Sequence, residues 1–366
     1  MVEVHMDTRN NEAASFTSIG KLGVSRRSDE RLYVNATRFS PDSGEFCRNF
    51  RRLVEIGRRN RSRVGRVVFR GLVSEEVVGQ ALNSDLKDNL EVALPVGEFT
   101  GDNSWLVYMA QNKPERTVIN PPEYMMNKVV AQEAQETKEK SPLEQIREAV
   151  RENYVIIDRI TEDQVEQVYS LWGETFGWER EAVDNLRRRL EADNFVEDPS
   201  EKQVWFSAVS KDGEIIGVAM AERLSVPGAD GKSLDLVEST EWKVKDGHGR
   251  NGIMAVVLSA LNAQVLSDLK NSRNGKPLIF AECNFLVRAD RTGSKAGFRT
   301  PERIVKKSRV RQILEQNVTI GDGSNAGKGL RDFNFMHLPV RVVEEYYGLL
   351  QLEEMRQAIR HNDVKV

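Results

Sequence analysis

KDGHGRNGI, residues 245–253, stands between a strand-like run at Leu234–Val244 and the longest apolar helix predicted in the chain, at Gly249–Lys270. A glycine-rich turn between a strand and a helix exposes consecutive backbone N–H groups at the positive end of the helix dipole. Glycine suits such a turn because a Cβ would hold the backbone away from a ligand. The stretch therefore predicts a turn that binds phosphate or pyrophosphate, and an ordinary glycine-rich surface turn is the alternative.

The spacing of these glycines does not fit the other common phosphate loops. The sequence contains no GxxxxGK[ST] segment. The three glycines Gly247, Gly249 and Gly252 match GxGxxG, but a dinucleotide-binding fold places that segment after the first strand of a parallel unit. Here the turn follows an antiparallel hairpin, which Lys211-Asp212-Gly213 predicts. Neither a P-loop nor a dinucleotide-binding fold is therefore expected.

The chain divides into five segments by composition and periodicity. Residues 1–28 are polar and aperiodic, which predicts a disordered tail. Residues 29–112 follow the order β-α-β-α-β-β, which predicts a small α/β module. A proline cluster and a polar helical composition predict a linker or connecting helix over 113–152. Residues 153–340 carry a second α/β pattern, and 341–366 is predicted to be a C-terminal helix.

The composition excludes several classes of protein. The 366 residues carry a net charge of −3, which rules out a globally basic nucleic-acid binder. The two cysteines are far apart and the four histidines are scattered, so no disulfide framework or metal site is expected. No run approaches the roughly 18 apolar residues of a membrane span, and no signal peptide is recognised. These features predict a cytoplasmic protein without membrane contact.

The turn resembles that of the GNAT acyltransferases. In that family Arg/Gln-x-x-Gly-x-Gly/Ala, between the fourth strand and the third helix, holds the pyrophosphate of coenzyme A. Here Gly249-Arg250-Asn251-Gly252-Ile253-Met254 lies at that place, and Gly252 is the strong match. Gly249 replaces the usual basic residue, so Arg250 is expected to supply the charge. The resemblance implies a mixed, mostly antiparallel sheet flanked by helices, with acetyl-CoA bound at Gly249–Ile253.

Two further segments are similar to GNAT sequences. Lys295-Ala296-Gly297-Phe298 resembles the family's lGF segment, although Ser294 stands where a tyrosine general acid is usual. The chain also resembles the β-lysine N-acetyltransferases in its amino-terminal module, in Glu238–Val244, and in Leu314–Gly321 followed by Phe333–Phe335. This second resemblance implies transfer of an acetyl group from acetyl-CoA to a primary amine, either a small amino acid or a diamine. The amino-terminal module is then expected to contribute to the acceptor pocket or to a homodimer contact.

Acylation of an amine needs a neutral amine, a polarised thioester and an acid for the leaving thiolate. Glu238 and Glu241, on the predicted fourth strand, are the candidate general bases. They would face opposite sides of a regular strand, but the resemblance implies a β-bulge that changes this. It also implies that the backbone N–H near Val244 is the oxyanion donor. A solvated strand glutamate is the alternative for each carboxylate.

Two histidines have weaker claims to a role. His337 lies in the strand-like run FMHLPV, where it is a candidate for the acceptor pocket or for a partly buried structural residue. His248 lies inside the glycine-rich turn, where it is a candidate for contact with phosphate.

A rival class follows from the arginines between Arg48 and Arg70. They could bind nucleic acid or a phosphorylated partner on a degenerate GNAT fold that serves as a binding or scaffold module. No aromatic residues are interleaved with these arginines to stack on bases, so nucleic acid is not favoured. A solvated helix face is the simpler interpretation of the run.

Overall fold

The computed structural model describes residues 17–19, 22–26, 31–36, 43–59, 66–112, 118–119, 141–176, 187–188, 190, 196, 198–228, 233–248, 252–284, 289–300, 309–314, 329–352 and 359–360. Strands within these ranges form two sheets, and every statement below on structure concerns these residues. The predicted fold class is confirmed: the larger sheet is mixed and mostly antiparallel, helices flank it, and a smaller α/β module precedes it.

Six strands of the described chain form the first sheet, in the order β1-β2-β3-β4-β6-β5. Only the β3–β4 pair is parallel, because α1 forms the crossover between them. The core of this module lies between the sheet and helices α1 and α2, around Phe50, Phe69 and Val77. The elements are β1 Thr17–Ile19, β2 Leu22–Arg26, β3 Arg31–Ala36, α1 Ser43–Arg59, β4 Arg66–Ser74, α2 Glu75–Leu82, β5 Leu90–Pro95, α3 Gly97–Thr100 and β6 Ser104–Asn112.

The second sheet has the strand order β13-β14-β12-β11-β10-β9-β8-β15, and β7 pairs with β14 outside this path. Its pairs β11–β12, β7–β14 and β8–β15 are parallel, and its other pairs are antiparallel. The elements are β7 Val118–Ile119, α4 Pro142–Arg151, β8 Val155–Ile157, α5 Glu162–Phe176, β9 Val204–Lys211, β10 Glu214–Pro227, β11 Ser233–Val244, α6 Ile253–Leu269, β12 Leu278–Asn284, α7 Ala289–Lys295, β13 Arg309–Leu314, β14 Gly329–His337, α8 Val340–Leu349 and β15 Ile359–Arg360.

Helix α6 is the centre of one core. It contains no glycine or proline, and 13 of its 17 residues are buried, as expected of a helix that is largely enclosed. Val237 and Ile279 of the sheet pack against it, together with residues of α4, α7 and α8. Helix α4 begins with a capping box, in which Ser141 and Glu144 exchange side-chain to backbone hydrogen bonds. This cap fixes the start of a helix whose Leu143, Ile146 and Ala149 are buried.

The opposite face of the same sheet is covered by α5 and by the first sheet. Side chains alternate between the faces of a strand, so Leu236 and Phe280 point away from α6. They join a buried cluster that both sheets share, formed by Leu72, Val92, Leu94, Val96, Leu106, Tyr108, Val226, Leu234, Leu236, Leu278, Phe280 and Phe335. Tyr108 of β6 meets the rings of Phe280 and Phe335 edge-on, with centroid distances of 6.3 and 5.3 Å. We call this set the shared core.

The structure differs from the sequence prediction near both ends of the chain. Strands β1 and β2 fall inside 1–28, the predicted disordered tail, because they extend the antiparallel edge beside β3. The helix predicted for 341–366 is α8, which ends at Leu349, and Ile359–Arg360 instead pairs with β8. The spacing of Val183, Leu186 and Leu190 also predicts a helix at 179–193, and most of it lies outside the described residues.

Candidate active site

Strands β11 and β12 run side by side and then separate. They share the register pairs Leu236–Leu278, Val237–Ile279 and Glu238–Phe280. Beyond Glu238, β11 continues on β10 alone and β12 continues on β14 alone. The gap between the carboxyl-terminal halves of two neighbouring parallel strands is a common place for a ligand in α/β proteins. We call this gap the fork.

A β-bulge lies on β11 immediately beyond the start of the fork. Val218 pairs with Lys243 and Met220 with Thr240, so Glu241 and Trp242 both oppose one residue of β10. Glu241 has φ 54, in the left-handed region, and its carbonyl accepts a 2.7 Å hydrogen bond from the indole N–H of Trp172 in α5. The bulge that the resemblance implied is therefore present, and it reverses the alternation of side chains along the strand.

The backbone N–H of Val244 points away from β10. Val244 opposes Gly217, and the N–H of Lys245 donates to the carbonyl of Ile216 at 2.8 Å. This pattern makes Gly217–Val244 a non-hydrogen-bonded pair, in which both N–H groups turn outward from the ladder. The Val244 N–H is thus directed to the side of β11 on which the fork lies.

The N-terminus of α6 lies beyond the end of β11. Gly252 is its N-cap residue with φ 72, a conformation that glycine adopts without strain. The first helical turn contains no acidic residue, so nothing there opposes an anion at the helix N-terminus. The side chain of Ile253 is buried and packs on Gly217 of β10. A ligand at this helix N-terminus would therefore contact the backbone of Ile253 and not its side chain. Gly249, Arg250 and Asn251 lie outside the described residues.

Glu238 is held in an ion pair with the first module. The guanidinium of Arg70 in β4 lies 3.3 Å from Glu238 on β11 and 3.3 Å from Glu282 on β12. The Arg70 guanidinium carbon also lies 4.7 Å from the centroid of the Tyr108 ring. Glu222 of β10 is the register partner of Glu238, so its side chain leaves the sheet on the same face. Three carboxylates of the described residues, those of Glu222, Glu238 and Glu282, therefore lie on the face beside the fork, and Arg70 contacts two of them.

The sequence did not single out Arg70 or Glu282 as site residues. Arg70 belongs to the arginine run that suggested a binding surface, and its partner Glu238 is 168 positions away. Other members of the run diverge: Arg51 pairs with Asp85 on the surface of the first module, and Arg48 and Arg52 are exposed on α1. Among the described side chains of the run, Arg70 therefore contacts the second sheet, whereas Arg48, Arg51 and Arg52 lie on the surface of α1.

The segment that resembles lGF packs beside the bulge. Gly297 has φ 95, and a Cβ there would lie 2.8 Å from Cγ1 of Val342 in α8. Phe298 is buried and its ring lies 5.9 Å from that of Trp242. Ser294, at the place of the usual tyrosine, is the next-to-last residue of α7, and its backbone carbonyl accepts a hydrogen bond from Arg299. No role for the Ser294 hydroxyl follows from these contacts.

His337 lies on β14 opposite Phe280, on the face of the sheet that carries Glu238. Burial lowers the pKa of His337 to about 4, and a weaker interaction with the backbone of Leu338 opposes this shift. The ring is therefore neutral at pH 7. His248 lies in the turn that follows β11, and its backbone N–H donates a hydrogen bond to the Lys245 carbonyl.

No group of three or more His, Cys, Asp or Glu side chains among the described residues could hold a metal ion. None of the helices in the described part of the chain is both long and apolar enough to cross a membrane.

No protein-family model matches the chain, and no curated protein matches it. Solved structures of acetyltransferases align with part of it. A GNAT-family acetyltransferase from Desulfovibrio desulfuricans is 16% identical over 51% of this chain and 99% of its own, with a TM-score of 0.30. A GCN5-related N-acetyltransferase from Kribbella flavida is 17% identical over 40% of this chain, with a TM-score of 0.29. The match spans 33% of the Kribbella flavida chain.

A third structure is AAC(6')-Iy in complex with the bisubstrate analog CoA-S-monomethyl-acetylneamine. It is 15% identical over 42% of this chain and 95% of its own, with a TM-score of 0.32.

Proposed function

We propose that this protein is an acyl-CoA-dependent N-acyltransferase that moves an acetyl group from acetyl-CoA to a primary amine, a small amino acid or a diamine. The observation that carries the proposal is the fork between β11 and β12, with the Val244 N–H directed to it and the N-terminus of α6 beyond it. The resemblance of Gly249–Met254 to the pyrophosphate-binding turn of the GNAT acyltransferases supports the same assignment.

The geometry supports a direct transfer. The pyrophosphate of acetyl-CoA would lie on the N–H groups at Gly249–Ile253, where the helix dipole favours negative charge. The Val244 N–H would donate to the thioester oxygen, which becomes negative when the amine nitrogen attacks the carbonyl carbon. Collapse of this tetrahedral intermediate forms the amide, breaks the carbon–sulfur bond and releases the thiolate of coenzyme A, which takes up a proton.

The charge of the face beside the fork supports an amine as the acceptor. Glu222 and Glu238 are cross-strand neighbours, Glu282 lies on β12, and Arg70 is the cation bound between Glu238 and Glu282. An alkylammonium ion would be anchored by such a surface, and a carboxylate there could take its proton. Glu238 and Glu241 remain the proposed bases, and the position of Glu241 in the bulge, three residues before Val244, supports this proposal.

Binding of acetyl-CoA tests the first half of the proposal. Gly252→Val should raise the dissociation constant at least tenfold, about 1.4 kcal/mol, because a side chain at the N-cap would obstruct the pyrophosphate. Gly101→Val is a matched control: Gly101 has φ 77, close to the 72 of Gly252, and no described atom lies within 4 Å of a Cβ at either position. Both variants carry the same backbone strain, but only Gly252 stands at α6.

Isothermal titration calorimetry on the two folded variants decides the point. Equal dissociation constants for Gly252→Val and Gly101→Val would place the cofactor elsewhere. The acceptor is then identified by thiol release from acetyl-CoA in the presence of lysine, β-lysine, diamines and a peptide mixture. Release with peptides alone would overturn the small-amine assignment while leaving acyl transfer intact.

A further inference from the structure

Arg70 connects three strands from two sheets at the start of the fork. Its Nη1 lies 3.3 Å from Oε2 of Glu238, and its Nη2 lies 3.3 Å from Oε1 of Glu282. Glu238 is the last residue of β11 that is in register with β12, where its partner is Phe280. Glu282 lies two residues beyond Phe280, where the strands have separated. The guanidinium therefore spans the base of the fork, from one strand to the other.

The surroundings of Arg70 restrict its position. Its side chain is 15% exposed and that of Glu282 is 4% exposed. The guanidinium carbon lies 4.7 Å from the Tyr108 ring centroid and 5.3 Å from that of Phe280. Tyr108 is the register partner of Arg70 in the first sheet and is itself part of the shared core. The cation is thus held by aromatic rings on one side and by two carboxylates on the other.

Arginine suits this place for a geometric reason. Its planar guanidinium directs separate N–H groups to two acceptors at once, whereas a lysine ammonium is a compact point charge on a flexible stem. Without a cation, Glu238 and Glu282 would be two like charges in a partly buried environment, and they would repel each other. The cation therefore opposes separation of β11 and β12 at this level of the sheet.

We infer that Arg70 is a positioning residue, by which the first module holds β11 and β12 at the separation that acetyl transfer requires. This inference rests on the proposed function in so far as the fork holds the thioester. Its structural part concerns only the two strands and is independent of catalysis. The role explains why the first module, whose own core lies elsewhere, directs a partly buried arginine into the second sheet.

Amide hydrogen exchange tests the structural part without any substrate. In Arg70→Gln, exchange should accelerate at least tenfold in β11 beyond Glu238 and in β12 beyond Phe280, and α1 and α2 should keep their wild-type rates. Arg51→Gln is the matched control. It also removes an ion pair between an arginine of the first module and a carboxylate, but this pair, with Asp85, lies on the surface. Unchanged exchange at the fork in folded Arg70→Gln would overturn the inference, whether or not the protein is an acetyltransferase.

Kinetics with the best acceptor from the thiol-release screen test the functional part. Arg70→Gln should lower kcat at least tenfold and change KM for acetyl-CoA less than threefold. Arg70→Lys keeps the charge, so its kcat should lie between those of the wild type and Arg70→Gln. It also replaces Arg70→Gln in this test if that variant does not fold. Adding Glu282→Gln to Arg70→Gln removes the repulsion and should restore part of kcat. A wild-type kcat in Arg70→Gln, or additive losses in the double variant, would overturn the role.

Failure of the proposed function has a different signature. In that case wild-type protein would neither bind acetyl-CoA nor release thiol, although the exchange rates at the fork would still respond to Arg70→Gln.

Discussion

At the scale of single residues, Glu238 and Glu241 have different surroundings on the same strand. Glu238 is paired with Arg70, and Glu241 stands in a left-handed conformation at the bulge. An alkylammonium group has a reference pKa near 10.4, so only about one molecule in 10³ is neutral at pH 7. A base that collects this proton is typically worth roughly 10²–10⁴-fold in rate.

The first prediction at this scale is that removing either carboxylate lowers kcat and that alkaline pH restores part of it. Glu238→Gln or Glu241→Gln should lower kcat strongly at pH 7, and part of the loss should return at pH 9, where the free amine is commoner. Acetyl-CoA binding should be intact in the same variant, as measured by calorimetry. Glu344→Gln, on the exposed face of α8, is the control. If both strand variants turn over at the wild-type rate from pH 7 to 9, neither glutamate is the base.

The second prediction at this scale concerns the acid stability that His337 controls. Its pKa in the folded protein is about 4, below the ordinary 6.5, so the unfolded state takes up a proton first as the pH falls. Stability from this residue is therefore complete above about pH 6.5 and is lost as the pH approaches 4, with a slope of at most about 1.4 kcal/mol per pH unit.

Urea unfolding of wild type and His337→Gln at several pH values between 4 and 7 measures this slope. The wild type should lose stability faster as the pH falls, and the two curves should converge toward pH 4. His337 keeps some exposed surface, so a slope below the single-proton maximum is expected. Parallel curves would show that His337 titrates at its ordinary pKa.

Local features of the site could be predicted from the sequence, and distant contacts could not. The position of Gly252 before α6 could be predicted because a glycine turn before a helix is a property of adjacent residues. The bulge could be predicted because Glu238–Val244 resembles a known strand. Arg70 was missed because its two carboxylate partners are 168 and 212 positions away. Nothing in the local sequence separates it from the exposed arginines that precede it.

At the scale of elements, the distance between α6 and β10 determines where the helix N-terminus lies. Gly217 has no side chain, and a Cβ at this position would lie 2.9 Å from Cγ2 of Ile253 and 3.3 Å from Cγ2 of Val257. Both neighbours are β-branched and stiff, so they have little freedom to move aside. The first turn of α6 rests directly on the strand at this glycine.

The prediction at this scale is that the same substitution has opposite effects at two glycines. Gly217→Ala should lower the free energy of unfolding by about 1–3 kcal/mol through overpacking, and it should weaken acetyl-CoA binding by displacing the α6 N-terminus. Gly79→Ala should raise stability by up to about 1 kcal/mol, because Gly79 lies in helix α2 and no described atom is within 4 Å of its Cβ position. Chemical denaturation measures the free energy of unfolding, and calorimetry measures acetyl-CoA binding. If Gly217→Ala leaves the free energy of unfolding unchanged, α6 can move away from β10 at no cost.

The order of elements was easier to predict than the ends of the chain. The strands around Lys211–Gly213 are confirmed, and the β-α-β-α-β-β pattern of 29–112 is observed with one short α-helix, α3, added between β5 and β6. Apolar periodicity is strong in both regions. Strand β1 has only three residues, too few to show apolar periodicity, and β15 pairs with the distant strand β8, which periodicity does not reveal. The sequence of 341–366 has a helical pattern throughout, but Ile359–Arg360 forms a strand with β8 instead of a helix.

At the scale of the whole molecule, the two modules are joined in two ways. The chain connects them through the predicted linker 113–152, but within it β7 pairs with β14 of the second sheet and α4 packs on the core around α6. The shared core connects them through packing. Helix α4 belongs to the second module by its contacts, since Ile146 is fully buried against the core around α6. The segment before it, 113–140, is polar and contains prolines. The division proposed from the sequence therefore predicts a cleavable connection between two modules that remain associated.

Limited proteolysis tests both connections. The first cuts should fall within 120–141, between β7 and the α4 cap at Ser141. The two fragments should elute together in gel filtration because the shared core holds them. Leu72→Ala removes a buried side chain of that core and should cost about 2–5 kcal/mol, so its cleaved fragments should separate at lower denaturant concentrations. Leu352→Ala, at an exposed leucine, should behave as wild type. Early cleavage inside 154–340 would contradict the division into modules, and separation of the wild-type fragments in buffer would show that the shared core is too weak to position Arg70.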